Sequence, residues 1–207
     1  MSIETWLAFV AASAVLLVIP GPTILLVVSY ALGQGRKVAF PVALGVALGD
    51  FTAMTLSMLG LGALLATSAT LFTALKWVGA AYLIWLGIKL WRAGGQASFG
   101  EARPAGSAGA MIAHAWVVTA LNPKSITFFV AFLPQFLDPG RDFLTQLAIF
   151  EATFLVLAAA NAFGYALLAG RLRGAVQNTR MVAIINRVGG SLLIAAGVAT
   201  LAWRNAK

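Results

Sequence analysis

Six stretches of this chain each stay predominantly apolar for more than twenty residues, and that repetition constrains the fold more than any other feature. About 20 apolar residues carry a helix across the hydrocarbon core of a bilayer, where the backbone must satisfy its own hydrogen bonds. The runs extend from Trp6 to Leu32, Val38 to Leu65, Leu71 to Trp91, Ala110 to Phe136, Phe143 to Ala169 and Met181 to Trp203. Of 207 residues, 61% are hydrophobic and only 10% are charged, against about 25% charged in an ordinary soluble domain. That leaves too little polar surface to face water, so the expected class is an all-α integral membrane protein with six transmembrane helices. The opening MSIETW has no basic flank, and the first run is longer than a secretory leader and is interrupted by prolines; it is expected to remain in the mature protein.

Charge and composition exclude several functions. The formal charge of +8 comes from residues scattered between apolar runs. They form no basic arm or face, so nucleic acid is not an expected partner. The absence of cysteine removes disulfides, thiolate metal sites and thiol redox chemistry. His114 alone cannot build a metal cluster, and no metal or cofactor is expected. No GxSxG elbow, HExxH pair, phosphate-binding glycine loop or carboxylate pair on one helical turn is present, so the chain does not read as an enzyme.

Basic residues in short loops set the orientation. Arg36 and Lys37, then Lys89, Arg92 and Arg103, then Arg171, Arg173 and Arg180 fall after the first, third and fifth runs. The other side has the uncharged Thr67 to Thr70, a turn with Asp138, Arg141 and Asp142, and the terminal Arg204 and Lys207. The first set is therefore expected to be cytoplasmic and both termini outside. Trp6, Trp77, Trp91 and Trp203 suit interfacial anchoring, whereas Trp85 and Trp116 do not.

The glycine-rich segment 94–109 reads as a linker between two groups of three spans, residues 1–93 and 110–207. Val78, Gly79, Leu83, Ile84 and Gly87 in the third span are matched at constant offset by Val188, Gly189, Leu193, Ile194 and Gly197 in the sixth. Each half opens with a broken helix, at Ile19-Pro20-Gly21-Pro22-Thr23 and at Leu121-Asn122-Pro123-Lys124-Ser125. Each then places an acid in its next span, Asp50 thirty residues after Pro20 and Glu151 twenty-eight after Pro123. An odd number of crossings per half makes the repeats inverted, a recurring plan in secondary transporters whose discontinuous helices form the binding site.

The breaks have their own chemistry. Asn122 can cap free amides and Pro123 suits the first helical position, with Gly21 and Pro22 a weaker version of the same start. A half-helix beginning inside the membrane presents unpaired N–H groups and partial positive charge, which suits a carboxylate. Lys124 adds a full charge whose isolated burial costs roughly 2.5 to 3.5 kcal/mol on insertion scales. Asp50 and Glu151 can carry a proton or hold a substrate ammonium, or can serve as fixed ion-pair partners of Lys124 that only join helices. Asn161, Gln135, Thr127 and His114 read as interhelical hydrogen-bonding groups, and Gly45 and Gly49 as a close-packing face.

The PGP break, the Leu48-Gly49-Asp50 acid and the stretch Asn122 to Phe136 resemble the LysE and RhtB family of bacterial amino-acid exporters over nearly the whole chain. The resemblance implies a multi-pass protein of the bacterial inner (plasma) membrane that expels neutral or homoserine- and threonine-like amino acids in exchange for protons, and it leaves a homodimer open. Pro20, Gly21, Pro22, Asp50, Asn122, Pro123 and Lys124 match the family pattern. Taken with the half-helix and intramembrane-acid chemistry above, this makes Gly21, Pro22, Asn122, Pro123, Lys124 and Ser125 the expected substrate-binding residues, Asp50 and Glu151 the expected proton-coupling residues, and Pro20, Pro22 and Pro123 the structural breaks. The family commonly has a threonine where this chain has Ile19, which removes a hydroxyl beside the first break. A passive channel for small polar solutes and a membrane scaffold without transport are the alternatives.

Overall fold

The computed structural model describes residues 2–67, 69–93, 106–138, 140–177 and 179–202, and every regular element among them is helical. Local chemistry sets the helix ends. Helix α1 (Ile3–Val18) starts on Ser2, whose hydroxyl accepts from the Thr5 amide at 3.2 Å. It stops before Pro20, and α2 (Pro22–Gln34) restarts with proline at its first position and Gly21 extended as the cap. Gly35, at φ +75°, turns the chain through a single 3₁₀ turn, Gly35–Val38, into α3 (Ala39–Thr67). That turn holds Arg36 and Lys37. Helix α4 (Ala69–Arg92) follows.

The second half begins with α5 (Ala108–Ala120), capped by Ser107, and breaks at Leu121 and Asn122 before α6 (Pro123–Thr127). A π turn over Phe128–Phe132 and a 3₁₀ turn over Leu133–Phe136 continue the same course. Helix α7 (Phe143–Gln177) starts on Asp142, which accepts the Thr145 amide at 2.7 Å, and α8 (Thr179–Ala202) completes the described chain.

Each expected apolar run therefore coincides with a helix or a broken pair. Two details differ. Helix α7 continues past Ala169, so Arg171 and Arg173 lie on its last turns rather than in a loop. The expected linker 94–109 is described only from Gly106, and Ala108 and Gly109 already belong to α5. Residues 94–105, including Arg103, and Trp203, Arg204 and Lys207 lie outside the described residues. By length and apolarity the continuous helical courses Pro22–Gly62 and Phe143–Ala169 can cross a membrane, and the pair Ala108–Ala120 and Pro123–Phe136, bent by 42°, makes a third.

The outer surface is apolar, as a bilayer requires. On α3 the exposed stripe is Phe40, Leu44, Leu48 and Phe51, at helical spacing and with no charge. Helices α3 and α5 pack closely through glycine. A Cβ on Gly45 would stand 2.5 Å from the Ile112 carbonyl oxygen, and one on Gly49 2.5 Å from Thr119 Cβ. Helices α4 and α8 meet in the same way at Gly87, Gly190 and Gly197, while Gly189 lets Ile19 of the first break sit against α8. Trp116, which did not fit interfacial anchoring, donates its indole N–H to Thr52 at 3.0 Å, so its polar edge is satisfied between α5 and α3.

The interior separates into two apolar clusters. One joins Phe9, Leu16, Met54, Met58, Phe128, Phe129, Phe150 and Phe154. The other joins Val27, Val28, Val42, Val46, Met111, Ala115, Ala162 and Ala166. Along α3 the switch between them falls between Val46 and Ala53, where Asp50 lies; along α7 it falls between Ala158 and Ala162, where Asn161 lies. The two helix breaks occupy that same level, so a polar waist divides the apolar core.

Candidate functional site

The waist is built around the end of α1. A helix C-terminus leaves its last carbonyls without intrahelical partners, and inside a bilayer no water takes their place. Here side chains from the second half of the chain supply the donors. Lys124 Nζ donates to the carbonyls of Leu16 and Ile19 at 2.9 and 2.7 Å. Asn161 Nδ2 donates to the Leu17 carbonyl at 3.1 Å, and the Tyr165 hydroxyl to that of Val18 at 2.9 Å. The ammonium lies at the negative end of the α1 dipole, where a cation is favoured. Gly21 leaves room for it, because a Cβ there would lie 3.3 Å from both Cε and Nζ of Lys124 and the ammonium would have to give by a few tenths of an ångström.

The second break is tied to the first. Asn122 Oδ1 accepts the Lys124 amide at 3.0 Å, capping α6 as its residue type allows. Asn122 Nδ2 donates to Thr23 Oγ1 at 3.0 Å, and the Thr23 and Thr119 hydroxyls are 3.3 Å apart. One buried asparagine thus joins the starts of α2 and α6. Helix α2 has no side-chain cap, so helix geometry leaves the Thr23 and Ile24 amides facing the break.

Asp50 enters from α3. It is 2% exposed, and the groups acting on it are the Lys124 charge and the Ser125 hydroxyl. Its Oδ1 has no hydrogen-bond partner. The Lys124 ammonium makes its short bonds to α1 instead, and the ion pair within contact distance among the described residues is Arg141 with Asp138, at 3.2 Å on the turn before α7. What offsets the cost of the Lys124 ammonium is therefore two backbone carbonyls together with a nearby carboxylate. A buried carboxylate with an open oxygen, a cation held by displaceable carbonyls and free helix amides are the groups needed to hold a small zwitterion.

The structure brings Gly21, Pro22, Asp50, Asn122, Lys124 and Ser125 to one level, with Pro20 and Pro123 as the flanking prolines of the breaks. It does not bring Glu151 there. Glu151 accepts a hydrogen bond from Thr55, and the acid acting on Lys124 is Asp50. Along α7, Glu151 stands ten residues before Asn161, about 15 Å at the helical rise. His114 pairs with the Tyr30 hydroxyl at 2.9 Å, and Gln135 bonds back to the Ala131 carbonyl at 3.2 Å. Thr23, Thr119 and Tyr165 belong to the waist without having been singled out from sequence. Only Thr23 carried a signal, as a hydroxyl directly after the PGP break.

Comparison with known proteins identifies the family. The LysE type translocator family matches residues 14–203. The homoserine/homoserine lactone efflux protein of Salmonella typhimurium is 34% identical over 206 residues, which is 100% of both chains. A membrane protein of Vibrio cholerae is 34% identical over 198 residues, 96% of this chain and 97% of its own. The leucine efflux protein of Enterobacter sp. is 34% identical over 131 residues, 63% of this chain and 62% of its own. No solved structure matches the chain. With the family match running almost from end to end and the Salmonella typhimurium relative aligned over its full length, this chain belongs to the LysE type translocators.

Proposed function

We propose that the protein is a proton-coupled exporter of neutral or homoserine- and threonine-like amino acids across the bacterial inner membrane, working by alternating access. The observation that carries this reading is the junction of the two helix breaks through Asn122 and Thr23, with the unpartnered Asp50 oxygen beside it. A zwitterionic substrate would place its ammonium on Asp50 and its carboxylate at the start of α6, near Ser125 and Lys124. A carboxylate there competes with the Leu16 and Ile19 carbonyls for the Lys124 ammonium, so binding would loosen the end of α1. Protonation of Asp50 would then discharge the ammonium. Glu151, apart from this cluster, is the weaker candidate for coupling.

An inverted pair of three-helix repeats, residues 1–93 and 110–207, gives this cycle its moving parts. In support, the helix pairing is nearly unchanged when the first three spans are exchanged for the last three: α4 packs on α8, α3 on α7, and α3 on α5 as α7 does on α1 and α2. The driving force suffices, because one proton entering down 100 mV supplies about 2.3 kcal/mol, or just under fifty-fold accumulation outside. The test is transport by purified protein in liposomes. Uphill amino-acid movement under an imposed proton gradient is expected, and strictly downhill flux would make it a passive channel. An Asp50→Asn variant that exports with unchanged pH dependence would remove Asp50 from the coupling step.

A further inference from the structure

Next to the waist, between α1, α4, α8 and the π turn, lies a cavity of about 210 Å³ that is open on one side, where Ala11 and Leu192 of its lining are exposed. Ala12 and Leu16 of α1, Leu83 of α4, Phe128 and Phe132 of the π turn, and Leu193 of α8 contribute to its wall, and every lining residue is apolar. Two of them reach the waist through their own backbone. The Leu16 carbonyl accepts from Lys124 Nζ at 2.9 Å, and the Phe128 amide donates to the carbonyls of Lys124 and Ser125. The cavity is therefore one helical turn from the groups assigned to the zwitterion. A dry, apolar cavity of about 150 Å³ already takes up benzene, so this one has room for a branched four-carbon side chain.

We infer that this cavity is the side-chain subsite of the transporter, and that it selects amino acids with aliphatic side chains of about leucine size over small ones and over lysine or arginine. The inference rests on the proposed export function and narrows its substrates from the neutral and hydroxyl-bearing amino acids to the aliphatic ones. The wall holds no group that could partner a side-chain ammonium or guanidinium, and an unpaired charge buried there is strongly disfavoured. The π turn contributes to the shape. Phe128 and Phe132, four residues apart, share the face that meets the cavity, and within that turn the Leu133 amide reaches back five residues to the Phe128 carbonyl.

The experiment uses purified protein in liposomes and in detergent, with labelled leucine, alanine and lysine as probes. Wild-type protein is expected to bind and move leucine, which has three more carbons, at least about tenfold more efficiently than alanine, the least that one methylene carries in an apolar pocket, and lysine least. Ala12→Phe, which fills the cavity, is expected to lower the leucine-to-alanine ratio of kcat/KM about tenfold. Leu193→Ala, which enlarges it, is expected to raise the phenylalanine-to-leucine ratio, and either variant suffices if the other fails to fold. Alanine transport with no preference for leucine, ratios unmoved in the variants, or a preference for lysine would overturn the subsite. Leucine binding without any transport would uphold the subsite and overturn the export reading instead.

Discussion

Lys124 has two sets of neighbours, the carbonyls at the end of α1 and the Asp50 carboxylate, and removing the ammonium and the carboxylate separately measures which set holds it. Lys124→Met keeps the aliphatic stem and deletes the ammonium. It leaves the Leu16 and Ile19 carbonyls, now bonded at 2.9 and 2.7 Å, without donors. Each orphaned group costs about 1–3 kcal/mol, and Asp50 also loses its compensating charge. The total falls in the range of about 3–5 kcal/mol found when one member of a buried charge pair is removed. Asp50→Asn leaves the ammonium on both carbonyls at the favourable end of the α1 dipole, so a loss of only about 1–2 kcal/mol is expected. The double variant removes the stranded carboxylate but not the orphaned carbonyls, and should cost about as much as Lys124→Met alone. Reversible unfolding of the purified protein in mixed micelles, followed by circular dichroism, gives all three values. An Asp50→Asn variant as unstable as Lys124→Met, or strictly additive single changes, would refute the view that Lys124 chiefly caps α1.

Three further outcomes follow from the same geometry. Gly49→Val drives a side chain into Thr119 and the Trp116 carbonyl, and should destabilise the α3–α5 contact by about 1–3 kcal/mol in the same unfolding assay. Asn122→Ala removes both the α6 cap and the bond to Thr23, costing about 1–2 kcal/mol, whereas Asn122→Asp keeps the cap and should retain part of that stability. At the surface, the Thr145 hydroxyl and then its amide hold the Asp142 carboxyl below its ordinary value of 3.8. A lowered folded value means the stability Asp142 lends to the start of α7 is complete above 3.8 and is lost as pH falls through the lower folded value. Amide exchange in the first turn of α7 should accelerate over that acidic range, and Asp142→Asn should abolish the dependence.

The contrast between Asn122 and Lys124 explains how much of the site could be read in advance. The Asn122 cap acts on an amide two residues away, so residue type and the following proline were enough to place it. Lys124 acts on Leu16 and Ile19, more than a hundred positions earlier, and no local pattern encodes which carbonyls a lysine will meet. The same limit applies to Asn161 and Tyr165, whose partners depend on how α7 is rotated against α1. Height along the helices separates Asp50 from Glu151, which stands ten residues before the waist residue Asn161 on α7. Each was a lone acid in an apolar span, but Asp50 turns to the waist and Glu151 to Thr55. Glycine spacing at Gly45 and Gly49 was legible because close helix approach has a simple compositional requirement. The π turn at Phe128–Phe132 was not, since its apolar residues are equally compatible with an ordinary helix.

Under the proposed function the transported zwitterion sits at the waist, with its ammonium on the open Asp50 oxygen. Magic-angle-spinning NMR on the protein in lipid can measure the distance from the amino nitrogen of a ¹⁵N-labelled bound amino acid to a ¹³C-labelled Asp50 carboxyl carbon. A direct hydrogen bond puts that distance at about 3.5–4 Å, and that is the value expected at saturating substrate. Saturable binding with the nitrogen beyond about 6 Å from Asp50, outside any direct contact, would rule out that placement.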